Sequence, residues 1–269
     1  MFDLLIRNAQ VLDGTGAPAY LADVAVKDGK IAAVGKLSGE AAETADAAGL
    51  TLAPGFIDVH GHSDFFMPLD PARASKLLQG VTTELCGQCG LGPAPVTEQN
   101  YPVYHKYLSQ QGIPMYPDDR TFTSFSAYLS RMEQTPAGIN LAYFIPHGTV
   151  RLAVMGFSHD APDDRQLAQM RELVEDAMQA GALGLSTGLA YAPGRFAATD
   201  ELAALTEPVG RYGGVYTSHL RDQGDQLEQS VQEAIDIARR GGARVNVSHH
   251  KAVGEQNFGK VRKTTQMLH

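Results

Sequence analysis

Apolar and polar positions alternate at the start of this chain and change period further on, and the change divides it. Residues 4–12 and 24–34 are β-rich runs punctuated by Asp13-Gly14 and Asp28-Gly29, and the second pair marks a hairpin turn. A short run over 50–53 closes this part, which reads as a small β domain ending just before Pro54. From Pro54 onward, strands alternate with helices. Short apolar runs begin near 56, 81, 139, 184, 215 and 244, and helical stripes fall between the later ones, such as Leu167, Met170, Leu173, Val174 and Ala177 after Pro162-Asp163. Residues 92–120 read as an irregular, proline-rich stretch.

Strand starts near 184, 215 and 245 recur at the length of one βα unit. Regular βα units without a Gly-x-Gly-x-x-Gly turn fit a (β/α)8 barrel better than a dinucleotide-binding sheet. The expected fold class is therefore α/β: part of a small β-sandwich over 1–53, then an incomplete (β/α)8 barrel over 54–269 with about six of eight strands.

Composition narrows the function classes. Net charge −8 argues against nucleic acid or an anionic membrane surface as partner, since either favours clustered Lys and Arg. No apolar run reaches the roughly 18 residues of a membrane span, and the first residues lack the signature of a signal peptide, so the expected location is cytoplasmic. Cys86 and Cys89, the two cysteines, suit a reducing compartment better than a disulfide framework. Oligomeric state is not legible.

In a barrel of this type the residues after each strand build the active site, and polar residues gather there. His60 and His62 end the first strand two residues apart, so both imidazoles leave the same face. Cys89 follows the second strand, His147 the third, His219 the fifth, and His249 and His250 the sixth. Any one of these alone reads as a structural residue, but His60, His62, Cys89, His219 and His249 together supply ligands suited to zinc. The rival role for Cys86-Gly-Gln-Cys89 is a redox dithiol, which needs a helix after the first Cys. Gly90-Leu-Gly-Pro-Ala-Pro95 cannot form that helix, leaving Cys89 as the ligand and Cys86 as a buried strand thiol.

These residues resemble the amidohydrolase superfamily, and within it the D-aminoacylase branch of N-acyl-D-amino-acid deacylases. The matching motifs are Pro54-Gly-Phe-Ile-Asp-Val-His-Gly-His62, Gln79-Gly-Val-Thr-Thr83, Gly87-Gln-Cys-Gly90, Gly184-Leu-Ser-Thr-Gly-Leu-Ala-Tyr191, Thr217-Ser-His-Leu-Arg221 and Val247-Ser-His-His-Lys251. The resemblance implies a tight zinc held by Cys89, His219 and His249, and a second, weaker metal position completed by His60 and His62. It also implies that Lys251 and Tyr191 hold the carboxylate of a small-molecule N-acyl-D-amino acid. His250 is the other candidate for the sixth-strand ligand, and the thirty-residue step from His219 favours His249.

Gln88 stands where that branch carries Asn, and Ile145-Pro-His-Gly148 replaces a more glycine-rich segment. Family enzymes also carry a catalytic Asp after the eighth strand. No residue of this sequence takes that role, and Asp58 and Asp64 sit in the wrong place for it. The expected activity is zinc-dependent hydrolysis of N-acyl-D-amino acids to a carboxylate and a free D-amino acid, with little or no turnover if 269 residues are the whole molecule. The alternatives are a non-catalytic metal-binding fragment, or an amidohydrolase acting on a cyclic amide.

Overall fold

A computed structural model describes residues 1–66, 74–113 and 122–269, and divides into two compact units, Met1–Phe56 and Ile57–His269. In the first unit, strands β1 (Phe2–Val11), β2 (Tyr20–Lys27), β3 (Lys30–Gly35) and β4 (Ala41–Asp46) form a sheet in the order β3-β2-β1-β4, and β5 (Thr51–Leu52) pairs with β1. The β2–β3 hairpin turns on Asp28 and Gly29, both left-handed at φ 52° and 70°, as a type I′ connection requires. A bulge at Asn8 (φ 59°) adds one residue to β1 against β2. The extra residue shifts the side-chain parity, so Ile6 packs against the cluster that also holds Ala9, Val11 and Val24. Strand β4 has no sequence signature: its Ala, Glu, Thr and Asp side chains are nearly all exposed, and it forms because β1 offers it a parallel ladder.

The second unit is a run of parallel strands with helices between them. Strands β6 (Phe56–Asp58), β7 (Val81–Cys86) and β8 (Asn140–Tyr143) make one sheet, and β9 (Ile145–Pro146), β10 (Gly184–Gly188), β11 (Val215–His219) and β12 (Arg244–Val247) make another. β8 and β9 are two halves of one strand position interrupted at Phe144, whose N–H still reaches Cys86 O at 3.0 Å. Among the described residues six strand positions therefore follow one another in chain order, the arc of an incomplete (β/α)8 barrel.

Among the described residues the α-helices are α1 (Ala74–Leu77), α2 (Tyr101–Gln110), α3 (Phe125–Glu133), α4 (His147–Met155), α5 (Asp164–Gln179), α6 (Thr199–Arg211), α7 (Leu227–Gly241) and α8 (Lys260–Met267). α5 starts on a capping box, in which Asp163 accepts from the Gln166 N–H and the Gln166 side chain accepts from the Asp163 N–H. Its stripe of Met170, Val174 and Ala177 joins Leu202 and Leu205 of α6 and Val231 and Ala234 of α7 against Ile145, Leu185 and Tyr216 of the strands. Each fully buried Leu, Ile or Val contributes about 1.5–3 kcal/mol.

Part of the stretch expected to be irregular is helical. α2 tolerates Pro102 because its first turn has no intrahelical use for that N–H, and it buries Tyr104 and Leu108 against Phe65, Leu91 and Leu152. Residues 114–121 of the same stretch lie outside the described residues.

α4 is tied to α6 by a buried ion network. Glu201 sits between Arg151 Nη1 at 2.5 Å and His147 Nε2 at 3.1 Å, all three buried, while Arg151 Nη2 donates to Asp160 O at 2.7 Å. Burial alone would raise the Glu201 pKa; the hydrogen bond and charge of His147, with the charge of Arg151, hold it below the usual carboxylate range. A depressed folded-state pKa contributes stability above the ordinary carboxylate pKa, and that stability is lost as pH falls through the folded value. Glu201→Ala should lower the unfolding free energy by about 3–5 kcal/mol in urea melts at neutral pH, because it strands a buried guanidinium. The variant's deficit should shrink as the pH is lowered through the carboxylate range. A neutral-pH loss below about 1 kcal/mol would show that this pair does not hold the two helices together.

Candidate metal centre

Each polar residue at the strand ends owes its position to the strand beneath it and to a specific backbone constraint. After β7 the chain turns through Gly87 (φ 73°), Gln88, Cys89 (φ 55°) and Gly90 (φ 69°), three of the four left-handed. A side chain on Gly87 would place its Cβ 2.2 Å from Phe144 O, and one on Gly90 would place it 2.7 Å from Gly188 N, so both glycines are needed for the turn to seat. Cys89 has no such exemption, and its conformation persists because its surroundings hold it. Ser186 Oγ of β10 accepts from Gly90 N at 3.1 Å and donates to Gly87 O, closing the base of the turn, and Tyr191 Oη donates to Cys89 O at 2.5 Å.

The turn points the Cys89 sulfur at the imidazoles. Its Sγ lies 3.3 Å from His60 Nε2 and 3.7 Å from His249 Nε2. Two sets form, His60–His62–Cys89 and Cys89–His219–His249, and within each the ligand atoms all lie within 4.8 Å of one another. Cys89 is common to both. The His219 and His249 rings meet edge to face at 4.4 Å, and the Tyr191 ring packs on His219 at 5.2 Å.

The His-x-His segment is clamped from below. Its Gly61 N–H donates to Leu85 O at 3.0 Å, Gln88 Nε2 donates to Val59 O at 3.1 Å, and the His60 N–H donates to Asp58 Oδ1 at 3.1 Å. Ser63 Oγ bonds Glu84 Oε1 at 2.6 Å, and Lys76 pairs with Asp58 and lies 3.6 Å from Glu84 Oε1. Gly61 is where the segment passes over Glu84: a Cβ there would lie 1.8 Å from Glu84 Oε1.

Electrostatics favour uncharged ligands. Burial, then the neighbouring His62 and His249, depress His60 to about 4. Burial, then His249 and Lys251, depress His219 to about 4 as well. Burial raises the Cys89 thiol to about 11, so without a cation it keeps its proton. Burial also lifts Asp64 to about 8, which leaves it predominantly protonated at neutral pH.

Of the expected site residues, His60, His62, Cys89, His219 and His249 come together, and Lys251 is exposed close enough for its charge to reach His219 and His249. His250 turns away and meets Thr264 Oγ1 at 2.8 Å. His147 is not in the cluster but in the α4–α6 ion network. The Tyr191 hydroxyl is committed to Cys89 O. Sequence reasoning missed Ser186, Glu84 and Lys76, whose roles depend on contacts between segments far apart in the chain.

The donor set fits a zinc ion. A tetrahedral zinc with Zn–S near 2.3 Å and Zn–N near 2.05 Å separates S from N by about 3.6 Å. The two sulfur–nitrogen distances, 3.3 and 3.7 Å, bracket that value.

The sequence pattern of the amidohydrolase family matches residues 43–266, and the chain belongs to that family. Among curated relatives it is 38% identical over 268 residues to the D-aminoacylase of Alcaligenes xylosoxydans xylosoxydans, covering 99% of this chain and 54% of the relative. It is 39% identical over 268 residues to the N-acyl-D-aspartate deacylase of the same organism, covering 99% of this chain and 53% of that one. The crystal structure of N-acyl-D-glutamate deacylase from Bordetella bronchiseptica, complexed with zinc and a phosphonate inhibitor, superimposes with a TM-score of 0.90 at 36% identity, over 99% of this chain and 55% of that one. The chain thus spans about half the length of the relatives it matches.

A methyl group on Gly188 would lie 2.2 Å from Cys89 O and 2.3 Å from Tyr191 Oη. Gly188→Ala should therefore displace the Cys89 turn at an overpacking cost of about 1–3 kcal/mol, and Cys89, now buried, should react faster with iodoacetamide in the folded state. An unchanged alkylation rate in a folded variant would show that Gly188 does not hold the turn.

Proposed function

We propose that these 269 residues carry the metal-holding part of a zinc-dependent amidohydrolase that cleaves N-acyl-D-amino acids to a carboxylate and a free D-amino acid. One observation carries the proposal: Cys89 lies at tetrahedral ligand spacing from imidazoles on both sides. Cys89, His219 and His249 would hold the tight ion, and His60 with His62 would complete a second, weaker position around the same sulfur. The names of the relatives at 38% and 39% identity support the substrate class. The zinc and phosphonate in the superimposed deacylase support the metal.

Zinc supplies Lewis acidity toward an amide carbonyl and a water nucleophile usable at neutral pH. The protein's own groups do the rest. His60 and His219, held near pKa 4, are neutral at physiological pH, so each ring has one nitrogen lone pair available to a cation. Lys251, a compact exposed cation beside the cluster, would anchor the substrate carboxylate and so set an uncharged amide over the ligands. Tyr191, its hydroxyl bound to Cys89 O, serves better as a buttress of the turn than as a second carboxylate anchor. The general base that moves the proton from water to the leaving amine would be the Asp that the family resemblance places after the eighth strand of a complete (β/α)8 barrel. The Cys89 thiol must stay reduced to act as a ligand, which is the ground for placing the protein in the cytoplasm. Among the described residues no helix is long and apolar enough to cross a membrane.

Metal analysis of the wild-type chain and Cys89→Ala, with amine release from N-acetyl-D-methionine against its L-isomer, tests the proposal. The expected result is about one tightly held zinc, lost in Cys89→Ala, with any turnover confined to the D-isomer. Zinc without turnover would identify a metal-binding unit whose chemistry needs residues outside these 269. A wild-type chain with no zinc, or a Cys89→Ala chain that keeps it, would contradict the proposal.

A further inference from the structure

A histidine can bind a metal through one ring nitrogen only if its proton sits on the other, so the partner of the second nitrogen decides whether the ring is ready. The candidate ligands differ in this respect. His60 Nδ1 is buried with no hydrogen-bond partner among the described residues. His249 faces Cys89 Sγ with Nε2, and its Nδ1 lies 3.1 Å from the side-chain Nε2 of Gln223 in a solvent-exposed contact.

Gln223 is built to be there. It lies between β11 and α7, four residues after His219 in Thr217-Ser-His219-Leu-Arg221-Asp-Gln223. Its backbone carbonyl oxygen accepts from Val253 N at 2.7 Å, which pins the loop to the segment after β12 that also carries His249. The preceding Asp222 N–H donates to Ser230 Oγ at 3.0 Å, and Asp222 Oδ1 accepts from Gly224 N at 2.7 Å, fixing the backbone on both sides. His249 itself is left-handed at φ 36°, a backbone conformation held by its surroundings.

We infer that Gln223 is a positioning residue that sets the tautomer of His249 and thereby the affinity of the metal centre. A primary amide presents either its N–H2 or its C=O after a half-turn of the last torsion. With N–H2 toward the ring, Nδ1 accepts, the ring proton lies on Nε2, and Nε2–H points at the Cys89 sulfur. With C=O toward the ring, Nδ1–H donates, and the Nε2 lone pair is free for a cation. The metal-ready arrangement therefore requires the Gln223 carbonyl toward Nδ1, and a carboxylate in its place, able only to accept from a neutral ring, would hold His249 in that tautomer.

The inference rests on the zinc assignment made above, and its test separates the two. Zinc dissociation constants would be measured by chelator competition for the wild-type chain, Gln223→Leu and Gln223→Glu, with thermal melts of the metal-free proteins alongside. Long-range proton–nitrogen NMR correlations of the histidine rings would report which nitrogen of His249 carries the proton in the zinc-loaded chain. Gln223→Leu should weaken zinc about 10–100-fold at a nearly unchanged melting temperature, and Gln223→Glu should match or exceed the wild type. The loaded wild type should show His249 protonated on Nδ1. Equal affinities for all three chains, or loaded His249 protonated on Nε2, would overturn the role of Gln223 and leave the metal site standing. Leu and Glu variants weakened alike, with matching falls in melting temperature, would reduce Gln223 to a loop support. A wild-type chain that binds no zinc would overturn both.

Discussion

The left-handed backbone at Cys89 is the constraint on which the site depends. A residue with a Cβ adopts φ 55° only under pressure from its neighbours. Here the pressure comes from both strands that follow in space: Phe144 closes on Gly87, Gly188 closes on Gly90, and Ser186 ties the ends of the turn together. Without that seat the thiol would not be aimed at His60 and His249 together. The barrel arc brings the strand ends into one ring, and this turn converts the ring into a cluster.

Burial then prepares the chemistry. The desolvation that pushes His60 and His219 down to about 4 also raises Cys89 to about 11, so the same low-polarity surroundings keep the imidazoles neutral and the thiol protonated until a cation compensates. Charge is concentrated one layer out, where Asp58, Lys76 and Glu84 hold the His-x-His segment and Glu201 with Arg151 holds α4. The α4 network reaches the site through packing: Gly148, next to His147, leaves room for Gly90 O, which a Cβ there would meet at 2.4 Å.

The strands were legible because buried parallel strands are short apolar runs, and the clustered His and Cys residues because such residues stand out at the ends of those runs. Helix α5 announced itself by a capping residue and a stripe. What escaped was whatever is decided between distant segments. β4 is polar and exists by pairing with β1, α2 hides its apolar face among prolines, and α4 begins on His147, a strand-end histidine whose partner is Glu201, 54 residues away. Ser186 and Gln223 are unremarkable as letters; their contacts span 96 residues to Gly90 and 26 to His249.

X-ray absorption at the zinc edge, on the chain loaded with one equivalent of zinc, probes most directly the claim that the Cys89 turn builds the metal centre. The account predicts one sulfur scatterer near 2.3 Å with nitrogen or oxygen neighbours near 2.0–2.1 Å. A first shell of nitrogen and oxygen alone would contradict it.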